Sequence, residues 1–153
     1  MEIRQARTAR EIEWSRLLFK EYAAWLGIDL SFQGFEAELA GLPGVYRPPH
    51  GRLLLAFEAN EASGCVALRP QKDGFCEMKR LFVRSNFRGQ GFGIMLAKRI
   101  IEEARTIGYR TMKLDTLPRM KAAMRLYEIL GFNRCPPYYE TPLPDTIFME
   151  LRL

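Results

Sequence analysis

The sequence predicts an α/β fold, a mixed sheet with helices packed on it, in a single domain spanning residues 1–153. Three observations carry this. The hydrophobic period switches repeatedly between two and 3.6 along the chain. Three strand candidates follow one another between residues 52 and 83, too closely spaced for helices to intervene. Each long helical stretch stops at a glycine, at Gly27, Gly108 and Gly131.

The elements follow in order. Ile3 to Ala6 is a short first strand. Thr8-Ala9-Arg10-Glu11 has the form of a capping box, and Ile12, Leu18, Tyr22 and Trp25 continue at helical spacing toward Gly27. Phe32, Phe35 and Leu39 mark a second, short helix closed by Leu42-Pro43-Gly44. Arg52 to Glu58 and Ser63 to Arg69 read as a hairpin around Ala59-Asn60-Glu61-Ala62, and a second hairpin through Gln71-Lys72-Asp73-Gly74 leads to Phe75 to Val83. Gly91 to Ile107 is helical in period, Tyr109 to Asp115 is a strand, and Arg119 to Leu130 is a further helix. Phe132 to Arg134 and Thr146 to Leu153 are the last strands, around a Pro-rich loop with Tyr138 and Tyr139. The order is β-α-α-β-β-β-α-β-α-β-β.

Composition excludes several classes. A hydrophobic fraction of 48% with 27% charged residues is that of a globular chain, not of a disordered, collagen-like or disulfide-stapled one. The longest apolar run, Leu53 to Phe57, falls far short of the ~20 residues that cross a bilayer. No signal-peptide pattern follows Met1, and Cys65, Cys76 and Cys135 lack metal-type spacing, so a reduced cytoplasm and no bound metal are expected. The net charge of +5 is concentrated: residues 79–125 hold 12 basic residues against 3 acidic ones. Such a segment asks for an anionic partner. No helix-turn-helix, zinc-ligand set or aromatic RNA-binding motif accompanies it, which argues against nucleic acid.

The most informative segment is Arg88-Gly89-Gln90-Gly91-Phe92-Gly93, between a strand and a helix. Its glycines let backbone N–H groups turn toward a ligand, and the helix behind it offers unpaired amides and a positive dipole end, so the turn suits phosphate. Arg88, with Arg84 nearby, adds positive charge. Gly93 is followed by Ile94 and Met95 rather than Lys and Ser/Thr, which excludes a Walker loop. Ile94 and Leu96 stand where a dinucleotide fingerprint needs its third glycine, and too little chain follows Asp115 to complete a doubly wound sheet.

Glu77-Met78-Lys79-Arg80-Leu81-Phe82-Val83 with the glycine turn resembles the acetyl-CoA motif of the GCN5-related N-acetyltransferases (GNAT family). Leu126-Tyr127-Glu128-Ile129-Leu130-Gly131-Phe132 is similar to that family's Leu-Tyr-x-x-x-Gly-Phe segment. The resemblance implies the GNAT fold and an N-acetyltransferase moving an acetyl group from acetyl-CoA to an amine by direct attack in a ternary complex. It implies that the backbone of Leu81, Phe82 and Val83 pairs with the pantetheine arm and that the amides of Arg88, Gly89, Gln90, Gly91, Phe92 and Gly93 hold the pyrophosphate. It assigns Tyr127 as acid to the leaving thiolate and Glu77 as base to the amine. Met120 departs from the Asn that many relatives carry there. Alternatives stay open at this point. A non-catalytic acyl-CoA-binding module would keep the glycine turn. Cys76 or Cys135 could form an acyl-cysteine. Arg119, Lys121 and Arg125 are either 3′-phosphate contacts or a solvated face, and a homodimer is open. The acceptor site is expected from residues 14–50, the Tyr138-Tyr139 loop and the last hairpin. If Tyr46 and Tyr139 line a groove there, they suit a cationic amine.

Overall fold

In the computed structural model, which describes residues 1–153, seven strands form one sheet in the order β1-β2-β3-β4-β5-β7-β6. Their ranges are β1 Glu2–Gln5, β2 Arg52–Glu58, β3 Glu61–Pro70, β4 Phe75–Val83, β5 Thr111–Thr116, β6 Asn133–Arg134 and β7 Ile147–Arg152. The helices are α1 Ala9–Leu26, α2 Phe35–Ala40, α3 Phe92–Ile107 and α4 Lys121–Ile129. The order read from the sequence is the order observed.

Local chemistry explains the boundaries. Thr8 accepts from the Glu11 amide and the Glu11 side chain accepts from Thr8, so the capping box forms. Backbone donation from Thr8 and Arg7 holds the Glu11 carboxyl down at about 2. Gly27 and Gly108 close α1 and α3 in the left-handed conformation. Ala59 and Asn60 alone make the first hairpin turn, both with positive φ, so Glu61 and Ala62 belong to β3 rather than to a four-residue loop.

The sheet divides two cores. On one face α1 and α2 pack Leu18, Phe19, Phe35 and Leu39 onto Leu53, Leu55 and Phe82. On the other, Leu96, Ile100 and Ala104 of α3 cover Leu54, Val66, Met112 and Leu114. β2 and β3 are therefore buried on both faces, which is why they read as continuous apolar runs instead of alternating ones.

Two features shape the middle of the sheet. β4 and β5 run parallel but pair only over Phe75–Glu77 and Thr111–Lys113. Beyond Glu77 they part, leaving that edge of β4 unpaired. On its other side β4 carries a bulge: Cys65 faces Phe82 and Ala67 faces Lys79, so Val66 stands opposite both Arg80 and Leu81. Arg80 takes φ 62, a left-handed value unusual for a non-glycine residue. The extra residue breaks alternation and turns Lys79 and Arg80 to the same side of the sheet, where both donate to Gln33 Oε1 at 3.0 Å.

Candidate active site

The parting of β4 from β5 opens a cleft of about 330 Å³. One wall is Met78 to Val83 of β4 and the other is Leu114 to Leu117 at the end of β5. The glycine turn, with Trp25 beside Arg88, and α4 line one part of it, and Leu30 and Gln33 with Tyr139, Leu143 and Thr146 line another. Residues far apart in sequence thus meet where one parallel pair separates.

The glycine-turn end is built for an anion. Gly89 and Gly91 have φ 78 and 83, so side chains there would be strained. Gly91 is the N-terminal cap of α3 and provides no side-chain cap. The amides of residues 89–94 have no backbone acceptor, giving successive donors at the positive end of a 16-residue helix. Arg88 differs: its amide already donates to Ser85 O at 3.3 Å and its Nε to Val83 O at 2.8 Å. It therefore brings a guanidinium, held over Trp25 at 4.9 Å, rather than an amide. Arg84 is not free charge either, because Glu21 takes it at 2.7 and 2.9 Å and Glu61 at 3.1 Å.

Leu81, Phe82, Val83, Arg88, Gly89, Gly91, Phe92, Gly93 and Tyr127 all line the one cleft. Gln90 is exposed outside it and offers only its amide. Tyr127, on the buried face of α4, is 7% exposed and packs edge-to-face on Phe132 at 5.7 Å. Its hydroxyl is neither sealed in nor bonded within the chain. Burial pushes its pKa above the usual tyrosine value, with Tyr22 and Asp115 adding in the same direction. It stays a protonated donor.

Glu77 lies elsewhere. It is fully buried beside the cleft rather than lining it, and Arg69 Nε at 2.7 Å, Gln71 Nε2 at 3.1 Å and the Tyr138 hydroxyl at 2.6 Å all donate to it. The carboxylate that does line the cleft is Asp115, at the end of β5, whose Oδ2 accepts the Tyr139 hydroxyl. The sequence marks Asp115 only as the end of a strand; the parting of β4 from β5, which brings it to the cleft, has no local signature. Tyr46, offered as a groove residue, is fully buried edge-to-face on Phe19 at 6.0 Å and lines nothing. Arg119 donates to Leu26 O, while Lys121 and Arg125 are exposed on α4. Met120 caps α4 without a side-chain hydrogen bond, the contact an Asn there would supply.

No cysteine lines the cleft. Cys65 and Cys76 are fully buried, and burial pushes the Cys76 thiol up to about 12, so little thiolate exists near neutrality. Cys76→Ala is expected to leave kcat within about 2-fold of wild type; steady-state assays check this, and loss of turnover in a folded variant would restore the acyl-cysteine route.

A cleft that gives a strand edge to an extended amide-bearing arm and unpaired amides to a pyrophosphate suits a nucleotide thioester, which places the protein among acyl-CoA-dependent transferases. Comparison with known proteins makes this specific. The acetyltransferase (GNAT) family model matches residues 6–132, and the chain belongs to that family. An uncharacterized N-acetyltransferase of Schizosaccharomyces pombe is 42% identical over 146 residues, spanning 94% of this chain and 90% of that protein. An acetyltransferase structure from Streptococcus agalactiae shares the fold with TM-score 0.81 at 21% identity, over 99% of this chain and 98% of that one. A GNAT acetyltransferase from Elizabethkingia anophelis, solved with acetyl-CoA bound, is 26% identical with TM-score 0.58, over 67% of this chain and 76% of that one.

Proposed function

We propose that the protein transfers the acetyl group of acetyl-CoA to an amine by direct attack within a ternary complex. The observation that carries this is the convergence, in one cleft, of the unpaired β4 edge, the free amides of 89–94 and the Tyr127 hydroxyl. Acetyl-CoA supplies an activated acyl carbon and a thiolate leaving group. The β4 edge from Leu81 to Val83 aligns the arm, and the amides of Gly89 to Gly93 with the Arg88 guanidinium hold the diphosphate. The three free thiols and the use of acetyl-CoA suit a reduced cytoplasm. Calorimetry with acetyl-CoA, then thiol release over an amine panel, tests the reading; absence of CoA binding would sink it.

The amine must lose a proton. An alkylammonium of pKa ~10.4 costs roughly 4.6 kcal/mol to deprotonate at pH 7, so a carboxylate at the acceptor end matters. Asp115 lines the cleft and Tyr139 orients it, whereas Glu77 does not line the cleft and is held by Arg69, Gln71 and Tyr138. Asp115→Asn is therefore expected to lower kcat about 10²-fold with the KM for acetyl-CoA within about 2-fold of wild type. Glu77→Gln is expected to keep kcat within about 3-fold of wild type and lower Tm, since it breaks a buried ion pair. The reverse pattern would return the base to Glu77.

A further inference from the structure

The acceptor end carries a charge that the acetyl-transfer reading does not use. Lys79 is 7% exposed and lines the cleft, yet no carboxylate lies within ion-pair distance of it. Every acid that faces it is already engaged. Glu77 is taken by Arg69, Gln71 and Tyr138. Glu38 is taken by Arg80 through two hydrogen bonds of 3.0 and 2.9 Å. Asp115 is taken by Tyr139. The only partner of Lys79 Nζ is Gln33 Oε1, a neutral oxygen that Arg80 Nη1 also claims. Two cationic donors thus converge on one amide oxygen, while the nearest carboxylates accept hydrogen bonds from other groups.

A buried ammonium with no carboxylate at ion-pair distance is costly, and burial drives the Lys79 pKa below its usual value although the more distant Glu77 and Asp115 charges oppose this. A ligand anion at this point would supply the missing charge. Lys79 and Leu81 flank the bulged Arg80 in β4, so an anion at Lys79 lies within a small molecule's length of the strand segment that would align the acyl arm.

Building on the acetyl-transfer reading, we infer that Lys79, with Gln33, binds a carboxylate of the acceptor, and that the acceptor is a small amino carboxylate, such as an amino acid, rather than a cationic polyamine. Lys79 recognises the anion, Gln33 positions the ammonium and offers its own amide N–H groups, and Arg80, locked to Glu38, fixes Gln33. The free amino group then lies toward Asp115 and the thioester.

The test compares each of a set of amino acids with its primary amide and its decarboxylated amine as acceptors, for wild type, Lys79→Met and Gln33→Leu. Calorimetry with CoA on each protein serves as the control for fold and donor site. Wild type is expected to favour the acids by at least 10-fold in kcat/KM over amides and amines. Lys79→Met is expected to raise the KM for the acids about 10- to 100-fold, bringing the ratio close to one, with Gln33→Leu intermediate. Because methionine replaces an unpaired buried cation, that variant keeps its fold. Equal use of acids, amides and amines by wild type, preference for the amines, or a ratio unchanged in Lys79→Met overturns the assignment while CoA binding stands. Failure to bind CoA instead removes the acetyl-transfer reading beneath it.

Discussion

Tyr127→Phe is expected to lower kcat about 10²-fold while leaving the KM for acetyl-CoA within about 2-fold of wild type. The side chain sits on the buried face of α4 and lines the cleft, and its hydroxyl makes no hydrogen bond within the chain, so removing one oxygen leaves the ring's packing in place. At reference values, a tyrosine of pKa ~10 donates to a thiolate of ~8.5 at a cost of roughly 2 kcal/mol for complete transfer. Burial raises Tyr127 further, so complete transfer is less favourable still. Its contribution is a hydrogen bond that strengthens as charge grows on sulfur, an interaction made in the transition state rather than in the ground state. That is why the loss falls on kcat.

The sign of the pH effect follows. A hydroxyl whose pKa is raised stays protonated up to and beyond the ordinary tyrosine value, so Tyr127 creates no loss of activity below about pH 10. A basic limb nearer neutrality has another origin. Acyl donors with more acidic thiols need less help on departure, and the Tyr127→Phe deficit should shrink with them. A deficit independent of the leaving group, or turnover within 3-fold of wild type, would remove Tyr127 from the chemistry.

The element order was legible in the sequence because strand and helix periods are local properties. The glycine stops at Gly27 and Gly108 and the capping box at Thr8 were equally local. The donor half of the site was legible for the same reason: strand, glycine turn and helix start lie within residues 81–93, so adjacency in sequence is adjacency in space. The acceptor half was not. Alternation along β4 places Lys79 and Arg80 on opposite faces, and only the bulge, visible in the β3 register, brings them together on Gln33. A bulge at an ordinary Arg-Leu pair carries no turn residue to announce it. Likewise the closed partnership of Glu77 with Arg69 joins two strands, and the 61-residue separation of Glu77 from Tyr138 hides their bond. The charge of residues 79–125 was a coarse signal of the same kind. Arg80, Arg84, Arg105 and Lys113 are neutralised by Glu38, Glu21 and Glu61, Glu102, and Glu150. Among the basic residues of this segment that form no ion pair, Arg88 and Lys79 are the two that line the cleft, and they give the excess its meaning.

Gly91→Ala is expected to weaken acetyl-CoA binding by about 100-fold and to lower stability by about 1–2 kcal/mol, and the two effects have separate origins. The stability loss is conformational, because alanine resists the φ of 83 that Gly91 adopts, and no neighbour within 4 Å contributes a clash. The affinity loss is geometric. Gly91 is the hinge between the turn and α3, and relaxing its φ re-aims the amides on both sides of it. Losing even one hydrogen bond to a charged oxygen costs about 1.5–3 kcal/mol, which is 10-fold or more in Kd. Gly108 separates the two origins. It closes the other end of α3 with φ 108, also has no neighbour within 4 Å, and does not line the cleft. Gly108→Ala should therefore lower Tm to a similar degree with acetyl-CoA affinity unchanged. Calorimetry and thermal melts on the pair decide the matter: parallel losses of affinity would make the Gly91 effect a consequence of destabilised α3, and an unaltered Kd in Gly91→Ala would mean that the amides of 89–94 do not hold the pyrophosphate.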